Sequence, residues 1–221
     1  MLVRDCMTVN PPTIDVTASC GEVVARMRRT NTSRLLVLRN GRLAGIFTRA
    51  DLMRALFQPP DAMGSEAMPA FYKRSVGEVM TKHPIVTQPR VPVEQAARVL
   101  SEREIGALPV VDGADLVGMV TSRDVAGSLA HLLGADIKGV RLSVDLPDHL
   151  LDLRQLVYAM TPLKPALSPL VLAVRLDRLE SRARLRTAAS RPLLLAETLA
   201  MAGVRVAGLQ VDPPPTAPPR L

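Results

Sequence analysis

Short apolar runs of two distinct periods alternate along this chain, with turn-forming residues between them. Leu35–Leu38 and Arg42–Phe47 have strand length and are joined by Asn40-Gly41, a dipeptide that accepts the left-handed backbone of a two-residue hairpin turn. Thr13–Val16 reads as extended, and Ser19-Cys20-Gly21-Glu22 is a capping box that opens a helix reaching about Thr30. A second helix is predicted from after Thr48 to about Phe57. The same order then returns. It comprises extended Val86-Thr87, a helix with Pro92 in its first turn reaching about Arg103, strands Leu108–Val111 and Leu116–Val120 around Asp112-Gly113, and a helix from Ser122.

This return is a duplication. Val3, Met7, Thr8 and Pro11 align without a gap with Val76, Met80, Thr81 and Pro84, an offset of 73 residues. Leu35, Val37, Leu43, Gly45, Thr48, Asp51 and Leu56 align at the same offset with Leu108, Val110, Leu116, Gly118, Thr121, Asp124 and Leu129. Each copy reads β-α-β-β-α. Residues 58–75, with Pro59, Pro60, Gly64 and Pro69, connect the copies, and Met63 and Met68 within them read as packing residues.

After about Gly139 the pattern changes. Val140–Asp145 reads as a strand, His149–Met160 as an amphipathic helix, Leu170–Leu176 as a buried strand and Arg182–Thr187 as a half-buried one. Pro192–Ala202 is a helix ended by Gly203, the favoured left-handed cap, and Val204–Val211 is a last strand. This order, βαββαβ, is that of a ferredoxin-like unit. The predicted fold is therefore α/β (α+β), and the Pro-rich tail at 213–221 is expected to be extended and mobile.

Composition narrows the function. Aromatics make up 2% of the 221 residues, so stacking of bases on rings cannot be a main binding mode. The formal net charge of +7 is dispersed: residues 1–138 carry 17 basic and 14 acidic groups, residues 139–221 carry 11 and 7. Without a dense basic run or a nucleic-acid motif, a solvated cationic surface and no nucleic-acid partner are expected. Arg182, Arg184 and Arg186 share one strand face and read as part of that surface. Cys6 and Cys20 do not make a disulfide framework, and no apolar run is long enough to cross a bilayer, so a reducing, cytoplasmic setting without a membrane is expected. Cys20 stands just inside a helix start, where a lowered thiol pKa and a plain packing role are both open. His83, His131 and His149 have no metal-ligand spacing, and no catalytic triad signature is present, so neither a metal nor an enzymatic activity is expected.

The sharpest chemical feature is Gly45-x-x-Thr48-x-x-Asp51 and its copy Gly118-x-x-Thr121-x-x-Asp124, each joining a strand to a helix. Free N–H groups at a helix start can hold a phosphate, and the Asp carboxylate can accept hydrogen bonds from the paired hydroxyls of a ribose. Thr-x-x-Asp is also a helix-capping pattern that needs no ligand. Capping does not account for the preceding Gly, or for recurrence in register with Met-Thr-x-x-Pro upstream.

Met7-Thr8 with Gly45-x-x-Thr48-x-x-Asp51, and Met80-Thr81 with Leu108-Pro109-Val110-Val111-Asp112 and Gly118-x-x-Thr121-x-x-Asp124, resemble two CBS domains. The resemblance implies domains at 1–57 and 76–135 packed as a Bateman module that binds AMP, ADP, ATP or S-adenosylmethionine as a regulatory ligand, with no obligatory cofactor. Residues 139–212 resemble an ACT domain, so the whole is similar to acetoin-utilisation-type CBS–ACT regulators, with a homodimer and a regulated partner protein implied. Asp145 and Asp148 stand where amino-acid-binding ACT domains usually have Gly, which favours pairing over amino-acid binding. In such modules the Asp-bearing motif of one copy faces the Met-Thr segment of the other. One cleft would then hold Thr121 and Asp124 with Thr8, Thr13 and Arg34; the second would hold Thr48 and Asp51 with Thr81, Val86 and Ala107. Because relatives place a phosphate-gripping arginine at the position of Arg34, the first cleft is expected to be the main nucleotide site, and the second to be weaker or to prefer a less charged adenosyl ligand. The rival reading is an assembly module with empty clefts.

Overall fold

A computed structural model of the chain describes residues 1–56, 71–135, 137, 139–146, 149–161, 170–175, 182–188 and 191–211. Met63, Met68, Asp148 and the tail lie outside the described residues. The chain divides into two compact units, Met1–Ala126 and Gly127–Leu221.

In the first unit the duplication is visible in the backbone. Each repeat contributes a hairpin: β3 (Arg34–Arg39) with β4 (Arg42–Thr48), and β6 (Ala107–Asp112) with β7 (Asp115–Thr121). Left-handed residues recur at the 73-residue offset, Asn10 with His83, Asn31 with Glu104 and Asn40 with Gly113. The two turns nevertheless differ. Asn40 and Gly41 both have positive φ, a type I′ pattern, whereas Gly113 alone does in the second turn, which sits one residue later than Asp112-Gly113 suggests.

Helix α1 (Cys20–Arg29) is opened by the expected box: the Glu22 amide donates to the Ser19 hydroxyl at 3.2 Å, and the Ser19 amide donates to the Glu22 carboxylate at 2.7 Å. Helix α2 (Arg49–Leu56) follows β4 directly; α3 (Val76–Val79) and α4 (Val93–Glu102) precede β6, and α5 (Ser122–Leu132) follows β7. Predicted strand Val86-Thr87 is reduced to one parallel bridge between Thr87 and Val110. Phe71 and Tyr72, from the end of the connection, pack edge-to-face at 5.7 Å, and Phe71 is buried in the first repeat's core with Leu35, Val37 and Phe47.

Two strands too short for a periodicity reading tie the repeats together. β1 (Thr8–Val9), from the first repeat, pairs with β7 of the second, and β5 (Thr81–Lys82), from the second, pairs with β4 of the first. With β2 (Thr13–Asp15), these exchanges complete the sheets β1-β7-β6 and β2-β3-β4-β5. Leu36, Ile46, Ala107 and Met119 form the apolar seam between the sheets. Each repeat thus completes the other's sheet.

The second unit has strands β8 (Val140–Asp145), β9 (Leu170–Arg175), β10 (Arg182–Thr187) and β11 (Arg205–Val211) with helices α6 (His149–Met160) and α7 (Pro192–Met201). Its sheet runs β11-β8-β10-β9 and is antiparallel throughout, the ferredoxin-like order. Leu142, Val144, Ala183 and Leu185 alternate inward onto Leu156, Leu195 and Leu199. Outward positions carry Arg141, Arg184 and Arg205, exposed, and Arg182, which pairs with Asp145 at 2.9 Å. Gly203 ends α7 at φ +83°, as its position predicts. No described helix is long and apolar enough to cross a membrane.

Candidate functional site

The strand-to-helix corners are where both repeats concentrate polar side chains. At the first, the Thr48 amide and hydroxyl donate to Asp51 Oδ2 at 2.8 and 2.7 Å, and the Asp51 amide donates back to Thr48 Oγ1 at 3.3 Å. At the second, Thr121 and Asp124 repeat this with distances of 2.8, 2.7 and 3.2 Å. One oxygen of each carboxylate is therefore spent on capping. What distinguishes the corners is the other oxygen.

The preceding glycines serve the partner repeat. A Cβ on Gly45 would stand 2.5 Å from Met80 Sδ and 2.7 Å from the Thr81 carbonyl; on Gly118, 2.7 Å from Met7 Sδ and 3.0 Å from the Thr8 carbonyl. No side chain fits there, so Gly lets each Met-Thr strand cross onto the other repeat. That crossing carries Thr81 to the first corner, where its hydroxyl donates to Asp51 Oδ1 at 2.8 Å. Arg54, one turn along α2, donates to the same oxygen at 3.0 Å. Asp51 is thus 1% exposed and bonded at both oxygens. Asp124 is only half-buried. Gly127 stands three residues beyond it, where α2 has Arg54, and among the described residues no hydrogen bond reaches its Oδ1.

Around the first corner lies a cavity of about 550 Å³. Its wall brings together Thr48, Asp51, Thr81 and Ala107 from the expected set, and adds Arg49, Arg54, His83, Ile85, Glu104 and Gly106. Arg34 also stands in this wall, and its guanidinium donates to the Gly106 carbonyl. Burial lowers the Arg34 pKa, while the nearby Asp124 carboxylate acts in the opposite sense. Arg34 is therefore shared, lining the cavity of Asp51 while feeling the charge of Asp124. Val86 is not brought there and borders a separate hollow of about 310 Å³ with Thr87, Gln88 and Val99. Thr8 sits beside Met119 on β7, two residues before Thr121, and Thr13 pairs with Leu36, two residues beyond Arg34 on β3.

His83 and Glu104 in the cavity wall hold left-handed backbones, φ +50° and +52°, a conformation that histidine adopts more readily than glutamate. Sequence reasoning missed Arg54, although its spacing of three from Asp51 on a helix is a recognisable pairing signal. The Arg34–Gly106 contact carries no local signal, because it joins the two repeats. Cys20 is fully buried, and burial raises its thiol pKa, so packing prevails over the helix-start effect. Among the described residues no cluster of His, Cys, Asp and Glu could hold a metal.

Comparison with known proteins identifies the fold that carries these corners. Residues 3–58 and 76–131 each match the CBS domain. Of solved structures, CBSX2 in complex with AMP superposes with a TM-score of 0.51 and 25% identity, over 59% of this chain and 97% of that one. The CBS domain pair of protein MJ0100, in complex with 5′-methylthioadenosine and S-adenosyl-L-methionine, gives 0.51 and 28% over the same shares. A putative acetoin utilization protein (AcuB) from Vibrio cholerae gives 0.52 and 26%, over 62% of this chain and 95% of that one. The chain spans 34% and 25% of the length of two curated relatives it matches.

Proposed function

This chain belongs to the CBS-domain family, and from that membership we propose that it is a regulatory sensor, not an enzyme, that takes an adenosine-containing ligand between its two repeats. The observation that carries this reading is the cavity beside Asp51, built from both repeats, with two carboxylates, two threonine hydroxyls and three arginines around it. Asp51 would receive the ribose hydroxyls, Thr48 and Thr81 would bracket them, and Arg34 would face a phosphate. Thr8, Thr121 and Asp124 would form the second site, with Thr13 near its rim; Ala107 contributes shape, and Val86 is left out. Arg34 stands in the wall beside Asp51, so the preference for the Asp124 cleft drawn from the sequence passes to the Asp51 cavity. Structural relatives that hold AMP, or 5′-methylthioadenosine with S-adenosyl-L-methionine, support the ligand class. We read the βαββαβ unit as an ACT-like module that pairs with a second copy and receives the ligand's signal.

A thermal-shift screen of the full chain against AMP, ATP and S-adenosylmethionine tests this. A bound ligand at a hundred times its dissociation constant adds about 2.7 kcal/mol. A silent screen instead supports a pure assembly module, the reading favoured by the self-contained capping of Thr48–Asp51 and Thr121–Asp124.

A further inference from the structure

Building on the ligand reading, we propose that Arg54 makes the Asp51 cavity selective for adenosine ligands that carry a phosphate. The carboxylate that a ribose must engage is occupied: Asp51 Oδ1 accepts from both Arg54 and Thr81, and the side chain is buried. A ribose diol can reach that oxygen only by displacing one or both donors. Displacing Arg54 releases a guanidinium into a cavity already lined by Arg34 and Arg49, with Glu104 as the one further acid among the described residues of its wall. For a neutral adenosine compound this exchange leaves a cation without its partner. For S-adenosylmethionine, whose sulfonium makes it a net cation, it adds repulsion. A 5′-phosphate reverses the sign, because it supplies the released guanidinium with acceptors in a geometry that suits bidentate pairing. Arg54 therefore acts as a latch that a nucleotide can open at low cost and an uncharged nucleoside cannot.

The second corner is the internal control. Its Asp124 has Gly127 in place of Arg54, and its Oδ1 has no bond from a described residue, so ribose there displaces nothing. Selection for phosphate thus belongs to one corner of the pair.

Calorimetric titration of the full chain with AMP, 5′-methylthioadenosine and S-adenosylmethionine tests this, in the wild type, Arg54→Gln and Arg54→Lys. Arg54 is exposed over more than half its side chain and lies on a helix surface, so both variants should fold. Wild type should prefer AMP over 5′-methylthioadenosine, and Arg54→Gln should weaken AMP roughly tenfold or more, the value of one charge-assisted hydrogen bond, while leaving 5′-methylthioadenosine equal or tighter. Arg54→Lys should keep part of the preference. An unchanged AMP to 5′-methylthioadenosine ratio in Arg54→Gln overturns the latch and leaves the sensor intact. Failure of the wild type to bind any of the three overturns both.

Discussion

Gly45 and Gly118 show how a single absent methyl group holds two repeats together. Each lies where the other repeat's Met-Thr strand crosses, and an added Cβ would meet carbonyl oxygens at 2.7 and 3.0 Å. Backbone cannot yield as a flexible side chain can, so Gly45→Ala and Gly118→Ala should each cost on the order of 1–3 kcal/mol, read as a lowered denaturation midpoint. Glu104 is the opposite case. It occupies the left-handed position after α4, with the Ile105 amide donating to the Leu100 carbonyl and the Glu104 amide to that of Ser101. The same cap after α1, α5 and α7 uses Asn31, Gly134 and Gly203. Glu104→Gly should therefore stabilise the chain by about 1 kcal/mol, measured in the same way. The carboxyl of Glu22 is held below the usual glutamate range by the Ser19 amide and hydroxyl. A depressed folded-state pKa gives stability that is present above the unfolded value and lost as pH falls through the folded one. The stability gap between wild type and Glu22→Gln should accordingly be full at neutral pH and close in acid, which chemical denaturation across pH will show.

At the scale of elements, most of the architecture was legible because the elements obey local rules. The Asn40-Gly41 turn, the Ser19 box and Gly203 are set by contacts a few residues apart, and α1, β8, α6 and β10 fall where their patterns put them. What escaped is what is not local. β1 and β5 are two residues long and owe their form to a partner strand from the other repeat. The expected strand at Val86-Thr87 shrinks to a bridge for the converse reason, having one ladder contact to support it. In the candidate site, the corners and their Thr-Asp pairs could be read from spacing, while the facing threonine came from the resemblance to CBS domains. The place of Arg34 in the cavity wall, bonded to the Gly106 carbonyl of the other repeat, could not be read from spacing, since it depends on how the sheets meet. Gly127 offers an element-scale test. It lies within α5 with open space around its missing Cβ, so Gly127→Ala should raise stability by about 1 kcal/mol from helix propensity alone, seen as a higher melting temperature.

For the whole molecule, duplication supplies two corners, and strand exchange gives the first of them a cavity whose wall draws on both repeats. On the proposed reading, coupling would follow from that construction: a ligand held by residues of both repeats would change the free energy of their packing, and any effect on a partner protein would be carried by that difference. The ferredoxin-like unit is built from its own core, so on the proposed reading ligand binding by the repeats and pairing through this unit should be separable. The measurement that bears most directly on the sensor reading is the affinity of the full chain for AMP, compared by titration calorimetry between wild type and Asp51→Asn, with both shown to be folded at the temperature used. Saturable binding by wild type, weakened at least tenfold by the loss of one carboxylate charge, is the expected result. Equal affinity in the two proteins, or no heat in either, would contradict it.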